Sequence, residues 1–449
     1  MNFRHLLEQR EAQRDPLRVG LIGAGKFGSM FLSQARTTPG MRIVAIADLA
    51  PDRVRAALRT TGWGDDCVTR TLRQAREGLD RVHVTDDTDA LLAGDGIDIV
   101  IDATGNPSAG IRHVLACCTH GKSIVMVNVE ADALAGPLLA RKAAEAGIVY
   151  SLAYGDQPAL ICEMVDWART AGFEVVAAGK GTKYLPAYHA STPETVWQHY
   201  GLSADDARAG GLNARMFNSF LDGTKSAIEM AAVANATGLT PAPSGLAFPP
   251  CGVDDLARVL RPREHGGQLH HSGQVEVISS LDRDGMPVAR DLRWGVYVTF
   301  RGDGPYVQRC FREYGLSTDE SGRYAAMYKP FHLIGLELGI SVASVGLRRE
   351  PTGVARSWQG DVVAVAKRDL RAGETLDGEG GYTVHGALLP ARASLERNAL
   401  PLGLAHGLGL RRAIAAGGVI AWSDVDADDR DDAVRFRREM EREFAPAAA

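Results

Sequence analysis

The chain has 449 residues, of which 45% are hydrophobic and 23% charged, and this ordinary globular composition excludes a largely disordered protein. At about 100–200 residues per domain, the length predicts roughly two to four domains. The formal net charge of −5 lacks the basic footprint of a nucleic-acid-binding protein. The first residues are polar and no apolar run approaches the ~18 residues that span a bilayer, so we expect neither a secreted nor a membrane protein.

The six cysteines are scattered along the chain, and no two of them have C-x-x-C spacing. Neither a zinc site nor a disulfide framework is therefore indicated, and reduced thiols in a cytoplasmic protein are expected. The segment with His265, His270 and His271 lacks acidic partners at ligand spacing, so it is interpreted as a loop. We predict no metal site.

The first part of the chain, residues 1–155, alternates strand and helix patterns. An amphipathic helix is predicted over 2–14, and β-rich runs follow at 17–22, 43–47, 97–102 and 123–127. Helix-forming stretches such as 53–59 and 110–119 separate these runs. The alternation predicts an α/β fold, a doubly wound parallel sheet of the Rossmann type.

The central part, residues 156–355, has the pattern of an α+β domain. We predict a strand at 174–178, one uninterrupted helix over 212–237 ending at Gly238, and antiparallel strands at 274–280 and 295–300 around a turn at 282–285. Pro330 is predicted to open a second helix over 331–347, and the end of this part is compatible with a return to the Rossmann domain.

The last part, residues 356–449, is predicted to be a small β-rich module that begins with a strand at 362–366. Its tail, 424–444, is dense in charges of both signs and is predicted to be a solvated helix or a frayed end.

A glycine-rich bend after the first strand matches G-x-G-x-x-G and predicts a dinucleotide site. Its glycines allow a tight turn, close approach of a pyrophosphate and close helix packing. Asp48 ends the second strand, where a carboxylate accepts hydrogen bonds from ribose hydroxyls and repels a 2′-phosphate, so NAD is favoured over NADP. Loops after the third and fourth strands complete the predicted cofactor site. Its residues are Gly23, Gly25, Lys26, Phe27, Gly28, Asp48, Thr104, Gly105, Asn106 and Asn128. The alternative is a set of ordinary turns with no dinucleotide.

A polar stripe is predicted on the 212–237 helix. Asn218, Asp222, Lys225 and Glu229 fall within about 60° of one helix face, whereas the other faces are apolar. We interpret the stripe as one wall of a substrate cleft opposite the nicotinamide, with Lys225 kept protonated between carboxylates so that it stabilises charge on oxygen. The alternative is an ion-pair ladder on a solvent face.

Two further basic clusters are candidates for substrate contacts. Lys180 and Lys183 follow a strand and are candidates for binding an anionic group of the substrate. Lys329 precedes Pro330 and must be extended, at the mouth of the predicted 331–347 helix, and His332 is expected one turn inside it. The alternative for each cluster is an ordinary surface.

Together these motifs resemble the homoserine-dehydrogenase-like proteins that include the 1-deoxy-xylulose-5-phosphate reductoisomerase-like (DRL) enzymes. The most specific match is the string Asn218-Ser219-Phe220-Leu221-Asp222-Gly223-Thr224-Lys225. Residues 362–425, with the string from Lys367 to Glu374 and Leu402-Gly403-Leu404, resemble the β-clip module called a SAF domain.

The resemblance implies nicotinamide-dependent oxidoreduction, in some members coupled to rearrangement of a carbon skeleton. It implies that Asp222 and Lys225 hold and polarise the reacting oxygen, and that Glu130 takes the place of a lysine near the nicotinamide. We therefore expect an NAD(P)-dependent oxidoreductase for a small anionic polyol, a sugar phosphate or branched sugar acid, and a homo-oligomer. The alternatives are a homoserine dehydrogenase and a non-catalytic sensor of dinucleotides or sugar acids.

Overall fold

The structure is a computed structural model, which describes residues 2–64, 66–78 and 80–445. The chain divides into two compact units. The first unit comprises residues 1–160 and 332–354, and the second comprises 161–331 and 355–449. Residues 446–449 of the predicted C-terminal module lie outside the described residues.

The helices in chain order are α1 Phe3–Ala12, α2 Lys26–Ala35, α3 Pro51–Thr60, α4 Leu72–Glu77, α5 Thr88–Ala93, α6 Pro107–His120, α7 Val129–Glu145, α8 Gln157–Thr170, α9 Val196–Tyr200, α10 Ala204–Ala209, α11 Ala214–Leu221, α12 Thr224–Thr237, α13 Leu256–Val259, α14 Pro305–Glu313, α15 Gly339–Arg348, α16 Ala391–Glu396 and α17 Asp432–Glu443. The strands are β1 Leu17–Ile22, β2 Met41–Ala47, β3 Val68–Thr69, β4 Val82–Thr85, β5 Ile99–Asp102, β6 Ser123–Met126, β7 Tyr150–Leu152, β8 Glu174–Thr182, β9 Gln274–Ser279, β10 Val296–Arg301, β11 Tyr324–Lys329, β12 Gly360–Ala366 and β13 Val384–Pro390.

The first unit is built on a seven-stranded parallel sheet with the order β3-β4-β2-β1-β5-β6-β7. The strand order reverses direction on the two sides of β1, so the loop after β1 lies at the topological switch point, where open α/β sheets bind ligands. This confirms the predicted doubly wound α/β fold.

The C-terminal part of the first unit completes its core. Leu338, Val342 and Val345 are buried in one cluster with the apolar residues of β1. A Cβ at Gly346 would lie 2.6 Å from the Leu17 side chain, so α15 packs directly on this sheet. The predicted helix over 331–347 is therefore wrong in its start, because helical geometry begins only at Gly339, and His332 is outside it.

The second unit contains a four-stranded sheet with the order β11-β10-β8-β9. β8 runs parallel to β9 and antiparallel to β10, which also pairs antiparallel with β11. The runs predicted at 274–280 and 295–300 are strands, but β8 lies between them, and only the second of the two pairs antiparallel with its neighbours. Lys329 is extended, as predicted, and is the last residue of β11.

The predicted helix over 212–237 is two helices, and this is the main correction to the predicted fold. α11 ends at Leu221, and Gly223 has φ +88° before α12 begins at Thr224. A left-handed residue cannot continue a right-handed helix, so the axis breaks at Asp222-Gly223. The predicted single face with Asn218, Asp222, Lys225 and Glu229 therefore does not exist.

The C-terminal part of the second unit pairs β12 with β13 and packs them on α12. The tail is not a solvated helix, because one face of α17 is buried. Arg437 on that face is completely buried and donates to the Asp361 carboxylate at 2.6 and 3.0 Å. Within the described ranges, no helix combines the length and the apolar character that crossing a bilayer requires.

Candidate active site

The glycine-rich bend of the first unit has the geometry of a phosphate-binding loop. Gly23 has φ +91°, and a Cβ there would lie 2.8 Å from the Ala103 carbonyl oxygen. A Cβ at Gly28 would lie 2.4 Å from the Gly23 oxygen. Both positions therefore require glycine for the fold, whereas a Cβ at Gly25 would meet nothing within 4 Å. Gly25 is exposed and precedes α2, whose N-terminal backbone amides include those of Lys26 and Phe27.

Asp48 directly follows β2 and holds this bend in place. One carboxylate oxygen accepts from the Ala24 backbone N–H at 2.9 Å, and the other accepts from the Arg53 guanidinium at 2.6 Å. The Asp48 side chain is 2% exposed and that of Arg53 is 60% exposed. Asp48 was predicted to bind a ribose. In the structure its carboxylate lies at the switch point and is bound by Ala24 and Arg53.

The loops after β5 and β6 are joined by a network of buried polar groups. Asp102 accepts hydrogen bonds from the Thr104 hydroxyl at 2.7 Å and from the His113 ring at 2.9 Å. The Asn128 amide donates to the Thr104 hydroxyl at 3.1 Å and to the Asn106 carbonyl at 2.8 Å. The loop residues Thr104, Gly105 and Asn106 are exposed, whereas Asn128 is fully buried. Asn128 therefore holds the exposed loop in position through buried hydrogen bonds.

Glu130 and His332, both predicted at the substrate, belong to the first unit. Glu130 lies in the first turn of α7 and is half-buried. His332 precedes the segment in which a Cβ at Gly335 would lie 2.8 Å from the Phe27 carbonyl oxygen. That segment therefore packs on α2, the helix that follows the glycine-rich bend.

In the second unit, Asp222 is fully buried at the break between α11 and α12 and faces a lysine that the sequence did not single out. The Lys367 ammonium lies 2.7 Å from the Asp222 carboxylate and donates to the Ser191 carbonyl at 2.7 Å and the Gly381 carbonyl at 2.8 Å. Burial raises the pKa of Asp222, and the Lys367 charge opposes that rise.

Asn218 is fully buried one turn earlier and binds the same two segments. It accepts from the Ser191 hydroxyl at 2.7 Å and donates to the Gly380 carbonyl at 3.1 Å. Both residues therefore contact loops of their own unit, including those of its C-terminal part, and their catalytic role stays a prediction.

A row of residues across the sheet of the second unit carries two of the predicted lysines. Lys180 of β8 and Lys329 of β11 both pair with Val296 of β10. Residues paired across antiparallel strands point to the same face, so both lysine side chains lie on one face of the sheet. Lys180 is buried and its ammonium bonds the Glu229 carboxylate of α12, so this face is the one covered by α12.

Lys225 lies on the same side of α12 as Glu229, because the two residues are one helical turn apart. Every residue from Thr224 to Ala236 is buried except Lys225. A polar side chain that alone is accessible on an otherwise buried helix requires a polar environment. Lys225 therefore shares the face of α12 that carries Glu229, and Lys180 and Lys329 share the sheet face that Glu229 contacts.

The C-terminal strands hold α12 at both ends. The Gly386 backbone N–H donates to the Thr224 hydroxyl at 2.8 Å, and the Asn235 carboxamide accepts from the Gly360 backbone N–H at 3.0 Å. These contacts and the Lys367 ion pair fix the helix that carries Lys225. The sequence offered one signal for them, the unexplained polar residues Thr224 and Asn235 in an apolar helix.

Lys183 lies just beyond β8 and is half-buried, with its ammonium bonded to the His199 carbonyl. Burial, and secondarily the neighbouring Arg293 charge, lowers the pKa of Lys183. Within the residues that the structure describes, no group of three or more His, Cys, Asp or Glu side chains comes together in a way that could hold a metal ion. No disulfide joins any of the six cysteines, all of which lie within the described ranges.

Two family models match the chain. The NAD-binding domain of homoserine dehydrogenase matches residues 19–151, and the catalytic domain of oxidoreductase DRL matches residues 155–338. The resemblance to homoserine-dehydrogenase-like and DRL proteins is thereby confirmed, and with it the prediction of an oxidoreductase family. Both models end before residue 339, so the SAF-like character of the C-terminal part stays a prediction.

Individual relatives cover less of the chain. A curated 1-deoxy-D-xylulose 5-phosphate reductoisomerase of Xanthomonas euvesicatoria pv. vesicatoria (strain 85-10) is 34% identical over 132 residues, which are 29% of this chain and 29% of that protein. The solved structures include an oxidoreductase from Agrobacterium radiobacter in complex with NAD⁺, L-tartaric acid and magnesium (19% identity, 37% of this chain and 44% of that chain, TM-score 0.28). A myo-inositol dehydrogenase from Corynebacterium glutamicum is similar at 12% identity, over 40% of this chain and 48% of that chain, with a TM-score of 0.29.

Proposed function

We propose that this chain, which matches an NAD-binding domain followed by an oxidoreductase catalytic domain, is an NAD(P)-dependent dehydrogenase or oxidoisomerase. Its proposed substrate is a small, anionic, polyhydroxylated molecule, a sugar phosphate or a branched sugar acid. The observation that carries the proposal is the placement of Lys225, the one accessible side chain between Thr224 and Ala236, beside a sheet face with Lys180 and Lys329. Three lysine ammonium groups would attract an anionic substrate and would stabilise negative charge that develops on the reacting oxygen.

The first unit is proposed to bind the cofactor. The bend from Gly23 to Gly28 and the N-terminus of α2 would hold the pyrophosphate, since a Cβ at Gly25 would occupy open space where the backbone can be approached. The exposed loop from Thr104 to Asn106 would border the ribose and nicotinamide. When bound, the nicotinamide supplies the hydride donor or acceptor.

We further propose that NAD is preferred, because Asp48 directly follows β2, at the position where a carboxylate discriminates against a 2′-phosphate. NADH should then bind at least about tenfold more tightly than NADPH, and Arg53→Ala should keep this preference. Tighter binding of NADPH that is lost in Arg53→Ala would show instead that Arg53 turns from Asp48 to the 2′-phosphate.

The residues of the second unit are proposed to handle charge and protons. The Lys225 ammonium donates a hydrogen bond to the reacting oxygen and stabilises its developing charge. It gives this oxygen a proton during reduction and takes one back during oxidation. Lys329 adds a second positive charge, the Lys180–Glu229 pair orients the site, and Lys183 binds the anionic group. Glu130 and His332 of the first unit are the remaining candidates for substrate contacts.

Two further assignments remain proposals. The scattered spacing of the six cysteines, with no C-x-x-C pair, favours reduced thiols and a cytoplasmic location. A homo-oligomer is expected, and light scattering of the purified chain tests it.

The direct test is a screen of sugar acids, sugar phosphates and homoserine with NAD and with NADP. The absorbance of the reduced nicotinamide reports turnover. Turnover of an anionic polyol is expected. Turnover of homoserine alone would replace the proposed substrate class. NADH binding without turnover of any substrate would establish the alternative, a sensor.

A further inference from the structure

A histidine that the sequence did not single out binds the break between α11 and α12. The Nδ1 atom of His189 lies 2.7 Å from the Asp222 carbonyl oxygen, and its Nε2 atom lies 2.8 Å from the Tyr184 hydroxyl oxygen. A carbonyl oxygen only accepts, so Nδ1 carries the proton. In the neutral ring Nε2 is then an acceptor, and the Tyr184 hydroxyl donates to it. The two bonds together fix one tautomer of His189.

Burial keeps this ring neutral. It lowers the pKa of His189, although the bond to the Asp222 carbonyl opposes the change. The His385 ring stacks on the His189 ring with their centroids 4.4 Å apart, and burial lowers the pKa of His385 to about 3. Neither ring is therefore charged at neutral pH, and the two stacked rings do not repel each other.

The His189 ring also flanks the left-handed turn at Gly223. A Cβ at Gly223 would lie 3.3 Å from Cε1 of His189 and 3.5 Å from Cζ of Phe248. Tyr184 connects these two flanking rings, because its hydroxyl bonds His189 and its own ring stacks on Phe248 with the centroids 3.8 Å apart. The turn therefore lies between two rings that Tyr184 holds in place.

This turn sets the start of α12, which carries Lys225. Gly223 precedes the helix and has no side chain to bind the free N–H groups of the first helical turn. Asp222 binds one of them instead, since its carboxylate accepts from the Thr224 N–H at 2.9 Å, while its carbonyl accepts from His189. Lys225 is the second residue of α12, so its position follows the position of Asp222 and Gly223.

We propose that His189 is a positioning residue for Lys225 and acts through its Nδ1–H bond to the Asp222 carbonyl. The inference rests on the proposed function, in which Lys225 donates to the reacting oxygen, and it extends that site to the segment after β8. A donor stabilises developing charge best when its position is fixed in advance. A displacement of about 1 Å costs up to about a hundredfold in rate, so loss of the bond should lower kcat.

Two conservative variants separate the two bonds of the ring. In His189→Asn the amide nitrogen stands near the position of Nδ1 and still donates to the Asp222 carbonyl. In His189→Gln the amide group reaches the position of Nε2 and keeps only the bond to Tyr184. With a substrate identified in the screen, kcat should fall about tenfold or more in His189→Gln and His189→Ala, while KM stays within about twofold. His189→Asn should recover most of this loss.

His265→Ala is the matched control, because the His265 ring bonds the Tyr324 hydroxyl at 2.6 Å. Tyr324 belongs to one apolar cluster with Tyr297, the neighbour of Val296, and therefore lies on the sheet face opposite to Lys180. The control removes a histidine–tyrosine bond of the same unit away from α12, and its kcat should equal that of the wild type.

Amide hydrogen exchange of residues 224–226 measures the positioning without turnover. Exchange should be about tenfold or more faster in His189→Gln and His189→Ala than in the wild type, and close to the wild-type rate in His189→Asn. If no substrate undergoes hydride transfer, the proposed function fails, and the exchange rates still decide whether His189 holds the turn.

Wild-type kcat or wild-type exchange in His189→Gln would overturn the proposal. Equal losses in His189→Asn and His189→Ala would assign the ring a packing role and would also overturn it. The same loss in His265→Ala would show a general effect on the unit, with the same consequence.

Discussion

The Lys367 ammonium and the Asp222 carboxylate lie 2.7 Å apart, and both side chains are almost completely excluded from solvent. Asp222 is the first residue of the break between α11 and α12, and Lys367 follows β12 in the C-terminal part of the same unit. Three residues after Asp222 stands Lys225. The ion pair therefore ties the C-terminal strands to the start of the helix that presents the proposed reactive lysine.

Removing Lys367 should destabilise the second unit strongly. Lys367→Met leaves the Asp222 carboxylate buried without a counterion, which costs about 3–5 kcal/mol of unfolding free energy. Lys367→Met combined with Asp222→Asn should recover part of that loss, because the uncompensated charge is gone. Urea denaturation of the wild type and these two variants measures both effects.

The control for this experiment is Arg411→Gln, which breaks the exposed ion pair of Arg411 with Asp426 in the same C-terminal part. Its unfolding free energy should stay within about 0.5 kcal/mol of the wild type. Wild-type stability of Lys367→Met would refute the assigned role of the pair.

Two glycine substitutions should separate cofactor binding from folding. Gly25→Val places its side chain in open space with φ −69°, so stability should be kept while NADH affinity falls by about tenfold or more. Gly28→Ala forces a Cβ to within 2.4 Å of the Gly23 oxygen, so the melting temperature should fall. Calorimetry measures the NADH affinity of both variants, and thermal unfolding measures their melting temperatures. Unchanged NADH affinity in Gly25→Val would show that the cofactor does not bind at this bend.

The sequence predicted the first unit well because its signals are local. Hydrophobic strands, intervening helices and a glycine-rich bend each follow from neighbouring residues, and the sheet order follows from the rules for parallel crossovers. The break at Asp222-Gly223 was missed because a glycine inside an apolar helical pattern is compatible with a continuous helix until its φ is known. The order of β8, β9 and β10 was missed because strand pairing is a long-range property.

The candidate site was predicted in part for the same reason. Helical spacing placed Lys225 and Glu229 together, and the structure keeps that relation. Asp222 was assigned to the same face, but its partner Lys367 is 145 positions later in the chain, and no local pattern joins the two.

Glu276 should make the stability of the second unit depend on pH. It is fully buried in β9, accepts from the Ala247 backbone N–H at 3.0 Å, and burial raises its pKa to about 7. The unfolded carboxyl releases its proton near its ordinary pKa of about 4.3, before the folded one does, so unfolding free energy should decrease as pH rises from about 4.5 to 7. Glu276→Gln should make this decrease smaller.

Urea denaturation at several pH values measures this slope, with the exposed Glu264→Gln as the control that leaves it unchanged. A slope that Glu276→Gln leaves intact would mean that the surrounding backbone N–H groups keep the carboxylate ionised.

The most direct test of the central claim is single-turnover hydride transfer by Lys225→Met with a substrate identified in the screen. Lys225 is proposed to stabilise charge and exchange a proton at the reacting oxygen, so the rate constant should fall by about 10²–10⁴-fold while the dissociation constant for NADH stays within about twofold. Lys225→Arg should restore part of the rate, because it keeps the positive charge. A Lys225→Met variant that transfers hydride at the wild-type rate would contradict the account.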